Sequence, residues 1–146
     1  MTRACFILFF FCFTLNAAEL ALVDLNGKNY QPTKKITLVL FWATWCADCK
    51  EIMKERLNQF AGSDLDLITV NVDDNIERTK HFLQKKDVGF PVYRDQTKKM
   101  LTEFAIGPVP HWAIFVNIKG QRKSIGDGTG FDEIQIKKLI GQAATL

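Results

Sequence analysis

Residues 41–50 read FWATWCADCK and carry two cysteines, Cys46 and Cys49, separated by two residues. The run that leads into them, residues 36–42, is apolar on both faces, which is typical of a central strand covered on both sides. After the cysteines, apolar residues recur at helical spacing and predict a helix from Cys46 to Phe60. Cys46 is therefore expected at a helix N-terminus, directly after a buried strand.

This position suits Cys46 to react as an anion. Free backbone amides and the helix dipole stabilise negative charge at a helix N-terminus, and they lower the pKa of a thiol placed there. Cys49 lies one turn further along, less exposed but able to reach the sulfur of Cys46. We predict that Cys46 forms a mixed disulfide with a substrate and that Cys49 resolves it.

Strands and helices are predicted to alternate along the rest of the chain. Residues 20–25 alternate loosely before an Asn26-Gly27 turn, which favours a short hairpin. Residues 65–72 read as a strand, and Asp73-Asp74-Asn75 supply side-chain acceptors at the start of a helix over 76–86.

In the C-terminal half, the sequence predicts several short helices and strands before a final helix. A short extended piece lies at 92–93, a short helix at 98–105 and a rigid proline-bearing turn at 107–110, followed by strands at 112–117 and 122–125. The closing helix, 132–143, is amphipathic, and its expected apolar face consists of Ile134, Ile136, Leu139 and Ile140. Alternating strands and helices indicate a parallel core sheet, which the closing hairpin makes mixed.

Residues 41–49 resemble the thioredoxin active-site segment, and Val109-Pro110 resembles the cis-proline turn of that family. Residues 22–28, 89–95 and 115–120 resemble the exported TlpA/ResA-like branch, whose members handle disulfides outside the cytoplasm. The resemblance spans essentially residues 20–144. It implies an α/β thioredoxin fold, a central mixed β-sheet flanked by helices, with an N-terminal β-hairpin extension.

The resemblance also implies which residues surround the catalytic cysteines. Trp45 is expected to be a contact platform, and Ala47 and Asp48 stand where thioredoxins usually carry Gly-Pro. Leu40 replaces a buried aspartate of typical thioredoxins, and Ile52 replaces a glutamate common in TlpA/ResA-like proteins. The proton acceptor for the second cysteine and the reduction potential therefore stay open.

The proline turn is implied to complete the substrate site. Pro110 is expected to be cis and in contact with the Cys46 sulfur, and Val109 is expected to offer its backbone to an extended substrate segment as an added strand. His111 has two interpretations: it tunes Cys46 or touches substrate, or it is a partly exposed histidine without a role.

Other uses of a Cys-x-x-Cys pair fit this sequence less well. A zinc site needs about four ligands, and beyond the pair only His81 and His111 are available, neither at ligand spacing. A structural disulfide would close a loop too short to restrict the unfolded chain much. A related peroxidase would show Pro-x-x-x-Thr-x-x-Cys, but Val39 and Ala43 occupy those places. We expect neither a metal nor a cofactor.

Residues 1–18 have the pattern of a secretory leader. One positive charge, Arg3, precedes a nearly unbroken apolar run over 4–15, and small residues follow. The run is short for a spanning helix, which needs about 20 apolar residues. We expect a signal peptide over 1–18, cleaved near Ala18, and one thioredoxin-like domain over 19–146. An uncleaved membrane anchor is the alternative.

Composition excludes several functional classes. A chain of 146 residues with 47% hydrophobic and 24% charged residues suits one globular domain, and neither a disordered chain nor a multi-span membrane protein. The net charge of +3 comes from 19 basic and 16 acidic residues spread along the chain, which excludes the basic stripe of a nucleic-acid binder.

The sequence thus predicts an exported thiol–disulfide oxidoreductase, most simply periplasmic, that exchanges disulfides with proteins and acts as a reductant. Expected partners are proteins with disulfides or dithiols and a redox partner protein, soluble or membrane-bound, and the chain is expected to be a monomer. Two alternatives stay open: a thioredoxin-fold binding or assembly protein without redox turnover, and a disulfide oxidase or isomerase.

Overall fold

The structure, a computed structural model, describes residues 20–62 and 64–146. Its strands are β1 (Leu22–Asp24), β2 (Ile36–Trp42), β3 (Leu65–Asn71), β4 (Val92–Asp95), β5 (His111–Ile118) and β6 (Gln121–Thr129). Its α-helices are α1 (Ala47–Glu51), α2 (Ile76–Lys85), α3 (Lys99–Glu103) and α4 (Glu133–Ala144). The predicted leader, residues 1–18, lies outside the described residues. None of the described helices is long and apolar enough to cross a membrane.

The strands of this part of the chain form one mixed sheet in the order β1-β4-β3-β2-β5-β6. The central strand β2 runs parallel to β3 and antiparallel to β5, and every residue of β2 is buried. Strand β4 runs parallel to β3, whereas β1 and β6 are antiparallel to their neighbours. The mixed sheet and the fully buried central strand are both confirmed.

Alternate residues of the central strands face two separate apolar clusters, as the period of a strand requires. Leu40, Trp42 and Trp112 point to the cluster that also contains both cysteines, which we call the cysteine face. Helix α4 and the segment after α1 cover it. Phe41 and Phe115 point to the other cluster, which we call the opposite face, and which the N-terminal segment and α3 cover.

The helix after the cysteines differs from the single helix that the spacing predicted. Helix α1 ends at Glu51, and the chain continues as a π-helical turn, Ile52–Arg56, and a 3₁₀ turn, Leu57–Phe60. The apolar residues still face inward: Ile52, Met53, Leu57 and Phe60 are all buried. The wider and then tighter turns change the backbone pitch while the same residues stay against the sheet.

Two further expectations require correction. Ile134 does not belong to the apolar face of the last helix, because it is 83% exposed. Ile136 lies two residues further on, which is the far side of a helix, and Ala143 is buried on the same side as Ile136. Strand β6 extends to Thr129 instead of ending near Ile125. At Gly128 an added Cβ would lie 3.1 Å from the Trp112 ring, so a glycine lets the strand pass over it.

The N-terminal hairpin is present but short. Val23 bridges Asn29 across the turn, and Gly27 has φ +84°, a conformation that glycine adopts readily. The outer side of β1 pairs with β4, which ties the hairpin to the edge of the sheet.

Candidate active site

Cys46 is the N-cap of α1, and its sulfur is bonded to that of Cys49 in a disulfide. The Cys46 sulfur also accepts a hydrogen bond from the backbone N–H of Cys49 at 3.1 Å. Cys46 keeps 5% of its surface exposed and Cys49 keeps none, so within this pair Cys46 is the residue that an outside molecule can approach. In the reduced form, the same backbone N–H and the helix dipole favour a thiolate on Cys46.

Cys49 lies among apolar side chains. Leu40 and Ile52, which stand where related proteins carry carboxylates, are buried in the same cluster as Cys49. Glu51, the neighbouring acid on α1, is exposed. Both positions at which the resemblance implies a carboxylate therefore hold apolar side chains.

A buried carboxylate holds the loop that precedes Cys46. Asp73 is 3% exposed, and its Oδ2 accepts the backbone N–H of Thr44 at 2.8 Å while its Oδ1 accepts the Thr44 hydroxyl at 3.0 Å. The side-chain amide of Asn71 donates to Asp73 Oδ2 at 2.8 Å, and the Thr79 hydroxyl donates to the Asn71 Oδ1 at 2.7 Å. The chain Thr44–Asp73–Asn71–Thr79, which we call the loop anchor, fixes the backbone two residues before Cys46.

Sequence reasoning missed the loop anchor. It assigned Asp73-Asp74-Asn75 jointly to the start of α2, whereas Asn75 alone caps that helix, through its side-chain acceptance of the Glu77 N–H. A usable signal was present: a parallel core sheet was expected, and residues that follow neighbouring parallel strands meet at one edge of the sheet. Asp73 and Thr44 each follow such a strand by two residues.

The proline turn has the cis bond that the resemblance implies, while contact between Pro110 and the Cys46 sulfur stays a prediction. The Val109–Pro110 peptide bond is cis, and the Pro110 carbonyl accepts the Gly130 N–H at 2.8 Å. Val109 packs against both apolar clusters, and no hydrogen bond within the described residues engages its backbone.

His111 lies on the opposite face of the sheet. It pairs with Phe41 across β2 and β5, and the two rings meet edge to face with centroids 6.1 Å apart. Its Nε2 lies 3.0 Å from Asp127 Oδ2, and the side chain is buried, whereas the second of the two interpretations expected it to be partly exposed. This placement favours a structural role over tuning of Cys46.

The other predicted site residues form the outer rim. Trp45 is 63% exposed directly before Cys46, which suits a contact platform. Ala47 and Asp48 are exposed on the first turn of α1. His81 is exposed on α2, and among residues 20–62 and 64–146 no group of three or more His, Cys, Asp or Glu side chains is placed to hold a metal ion.

Residues 10–120 match the model of the AhpC/TSA family. The chain belongs to this family. Among curated relatives, this AhpC/TSA protein is 28% identical over 119 residues to the thiol-disulfide oxidoreductase ResA of Bacillus cereus, covering 79% of this chain and 65% of that protein. It covers 57% of the ResA of Oceanobacillus iheyensis, at 26% identity. The chain thus spans about three-fifths of the length of these curated relatives.

Solved structures agree on the fold. StoA from Bacillus subtilis superposes with a TM-score of 0.63 at 21% identity, covering 84% of this chain and 98% of that chain. The exposed lipoprotein thioredoxin of Streptococcus pneumoniae superposes with a TM-score of 0.60 at 25% identity, covering 82% of this chain and 96% of that one. The thioredoxin fold and the resemblance to the ResA-like branch are confirmed.

Proposed function

We propose that this AhpC/TSA protein is an exported thiol–disulfide oxidoreductase that exchanges disulfides with client proteins through Cys46 and Cys49. The observation that carries the proposal is the position of Cys46: it caps α1, accepts the Cys49 N–H through its sulfur and presents the accessible side of the disulfide. Similarity to proteins named thiol-disulfide oxidoreductase supports the same reaction.

In the reducing direction, the thiolate of Cys46 attacks one sulfur of a client disulfide. The client's other sulfur leaves as a thiolate, and a mixed disulfide joins the client to Cys46. The deprotonated sulfur of Cys49, which reaches Cys46 from within the first turn of α1, then attacks the Cys46 sulfur. The client leaves as a dithiol, the two electrons having come from the cysteine pair, which ends as the observed disulfide. A partner dithiol must reduce that disulfide again.

We assign client binding to the exposed residues around Cys46. Trp45 offers an aromatic surface beside Cys46, and the unengaged backbone of Val109 suits an extended client segment that adds as a strand. Pro110 places that backbone at the start of β5. These contacts are to main chain and to one aromatic ring, so they suit several client sequences and not one.

We further propose export and a reducing role. The pattern of residues 1–18 supports a signal peptide cleaved near Ala18 and a periplasmic domain over 19–146, and the similarity to an exposed lipoprotein thioredoxin points to the same side of the membrane. The reducing role rests on Asp48, whose negative charge near Cys46 disfavours its thiolate. The partners are client proteins and a reductant protein, and the domain acts as a monomer.

Trapping of mixed disulfides tests the assignment of the two cysteines. Cys49→Ser leaves Cys46 free to attack but removes the group that releases the client, so we expect it to accumulate disulfide-linked adducts that thiol reductants dissolve. Cys46→Ser is the matched control, since it retains one thiol of the same pair, and it should accumulate none.

Two outcomes would overturn the proposal. If iodoacetamide labels Cys49 of the reduced protein faster than Cys46, the nucleophile is misassigned. If neither variant traps adducts and the wild type does not reduce a protein disulfide, the domain is a binding or assembly module whose cysteines are incidental.

A further inference from the structure

A second concave region lies on the opposite face, far from the cysteines. It is a half-open cavity of about 680 Å³ between the N-terminal segment and the turn that joins β5 to β6. Asn117, which lines it, donates its backbone N–H to the carbonyl of Lys35, just before β2 begins, whereas Cys46 follows the other end of β2. The cavity is thus separate from the disulfide in face and in position along the sheet.

The floor and the rim of the cavity differ in chemistry. Leu22, Tyr30 and Arg122 are buried and form the floor. The rim carries short polar side chains that can donate and accept hydrogen bonds: Asn29, Gln31, Gln96, Thr97 and Asn117. A volume in this range is usual for small-molecule sites, which measure about 300–1,000 Å³.

Arg122 on this floor has no polar partner in the described part of the chain. It is 9% exposed, and no described carboxylate pairs with it and no described oxygen accepts from it. Its guanidinium contacts the ring of Tyr30, whose centroid lies 5.9 Å from the guanidinium carbon. A guanidinium has five N–H donors, and none of the Arg122 nitrogens is among the fully buried side-chain nitrogens that lack a partner in the described part of the chain, so they open to solvent in the cavity.

The acid that accepts a hydrogen bond from Tyr30 of this floor already has several donors. Asp66 accepts hydrogen bonds from the Tyr30 hydroxyl, from the backbone N–H groups of Thr33 and Lys34 and from the Thr33 hydroxyl. Its carboxylate is therefore directed toward the loop over 33–34 and does not pair with Arg122, whose guanidinium contacts the ring of the same Tyr30. The donors of Arg122 are left to whatever occupies the cavity.

We propose that this cavity is a binding site for a small polar molecule that carries one carboxylate group, held by Arg122. The planar fork of a guanidinium matches a carboxylate with two parallel hydrogen bonds. The amides and the hydroxyl of the rim suit the neutral polar part of such a molecule. A phosphate group suits the site less well, because it carries nearly two charges at pH 7 and the floor offers one cation.

A titration of the wild-type protein tests which chemical group the cavity binds. The probes are N-acetylglycine, its neutral analogue N-acetylglycinamide, and inorganic phosphate, observed by ¹⁵N NMR at the Arg122 Nε–H and the Asn117 side-chain amide. We expect saturable shifts of both signals with N-acetylglycine, and at least about tenfold weaker binding of the amide, because a charge-assisted pair is lost. Equal binding of the two analogues, tighter binding of phosphate or no saturation would overturn the proposal.

Paired variants test the assignment to Arg122. Arg122→Gln should weaken binding of N-acetylglycine at least about tenfold, whereas Lys123→Gln, which removes the same charge from the neighbouring exposed residue, should leave it unchanged. If Arg122→Gln does not fold, Asn117→Asp serves instead, since a carboxylate beside the guanidinium competes with the probe. Equal losses in the Arg122 and Lys123 variants would mean that general surface charge, and not this cavity, attracts the anion.

Discussion

Asp73 and Asp48 flank the same cysteine segment in opposite environments. Asp73 is buried below the loop before Cys46 and accepts three side-chain or backbone hydrogen bonds from Thr44 and Asn71. Asp48 is exposed above the first turn of α1, and no hydrogen bond or ion pair within the described residues involves its side chain. The two acids therefore act by different means.

The comparison shows that a buried acid acts mainly by fixing the position of the backbone, whereas an exposed acid acts mainly through its charge. A buried acceptor with its donors in place fixes the backbone, and its loss leaves those donors without partners, at about 1–3 kcal/mol each. An exposed charge is screened by water and by salt, so it shifts nearby equilibria by only a fraction of that. Removal of Asp73 should disturb the position of Cys46, whereas removal of Asp48 should change only its redox balance.

The largest expected effect belongs to Asp73→Ala. It leaves the N–H and hydroxyl of Thr44 and the amide of Asn71 without their acceptor, so we expect a loss of about 2–4 kcal/mol in the free energy of unfolding. In conditions where the variant is folded, alkylation of reduced Cys46 should also be slower and its pH dependence altered, because the loop no longer fixes the cap of α1. Urea denaturation and iodoacetamide kinetics measure the two effects.

The matched control is Asp74→Ala. Asp74 is the next residue, is exposed, and pairs with the exposed Lys98 at 3.3 Å. Such surface pairs contribute about 0–1 kcal/mol. If the two alanine variants lose similar stability, or if Asp73→Ala leaves the reactivity of Cys46 unchanged, the loop anchor does not position the cysteine.

Asp66 is half-buried, so its exposure lies between that of Asp73 and that of Asp48. Burial by itself would raise the pKa of this carboxyl, but hydrogen bonds from Thr33, Lys34 and Tyr30 outweigh burial and leave the pKa below its ordinary value. A lowered pKa in the folded protein contributes stability that is present above the unfolded pKa and is lost as pH falls through the folded pKa. The stabilising effect of Asp66 should therefore fade below about pH 4.

Urea midpoints as a function of pH check this expectation. The gap between wild type and Asp66→Asn should be largest near neutral pH and should narrow as pH falls below about 4. Asp64→Asn is the control, because Asp64 is exposed and forms a solvent-facing pair with Lys34. A gap that is constant from pH 7 to pH 3 would show that the Asp66 hydrogen bonds do not depend on its charge.

Tyr30, whose hydroxyl donates a hydrogen bond to Asp66, should affect the stability of the protein at alkaline pH. Burial, the largest cause, raises the pKa of Tyr30 to about 12, although the hydrogen bond from Thr37 opposes it. The folded state therefore keeps this proton more tightly than the unfolded state, so stability is complete below pH 10 and declines between about pH 10 and 12. Tyr30→Phe should lack this alkaline decline, which thermal unfolding across the range measures.

Local signals in the sequence predicted the elements, while the loop anchor depends on contacts between distant residues. The apolar run of β2 and the apolar spacing after Cys46 are readable within a few residues; the structure confirms the buried strand and the inward-facing apolar residues, although not a single continuous helix. Asp73 contacts Thr44 from 29 positions away, and its own neighbourhood contains three equally good helix caps. Only the pairing of β2 with β3 decides which of them turns toward the loop.

The wrong predictions about which side of a helix or strand is buried have a similar origin. Ile134 is apolar but belongs to the exposed side of α4, and only the position of the sheet distinguishes the two sides near a helix end. The burial of Arg122 could not be predicted either, because Arg122 is the one buried residue of β6 and the neighbouring Lys123 is exposed. Where a charged residue is buried depends on which segment covers it.

The smallest expected effect concerns Asp48 and decides the redox direction. Its negative charge lies between the two cysteines and opposes the thiolate that the α1 dipole and the Cys49 N–H favour on Cys46. A less stabilised thiolate makes the reduced form less stable, so the dithiol gives up its electrons more readily. Lys50, in the last turn of α1, offsets part of this effect, and its ammonium also lies over the Phe82 ring, 5.6 Å from the centroid. We therefore expect a reduction potential nearer to about −270 mV than to about −120 mV.

Asp48→His tests this expectation directly, because it replaces the opposing charge with a neutral or positive group. The potential should become more positive by about 10–30 mV, which for a two-electron couple corresponds to about 0.5–1.4 kcal/mol in favour of the dithiol. Glu51→His is the control: Glu51 is exposed on the same helix but lies outside the segment between the cysteines, so its effect should be smaller. Equilibration with glutathione or dithiothreitol buffers measures all three proteins. A wild-type potential above about −180 mV would identify an oxidase or isomerase. An unchanged potential in Asp48→His would show that solvent screens the charge of Asp48 completely. The helix dipole and the buried surroundings of Cys49 would then set the redox balance.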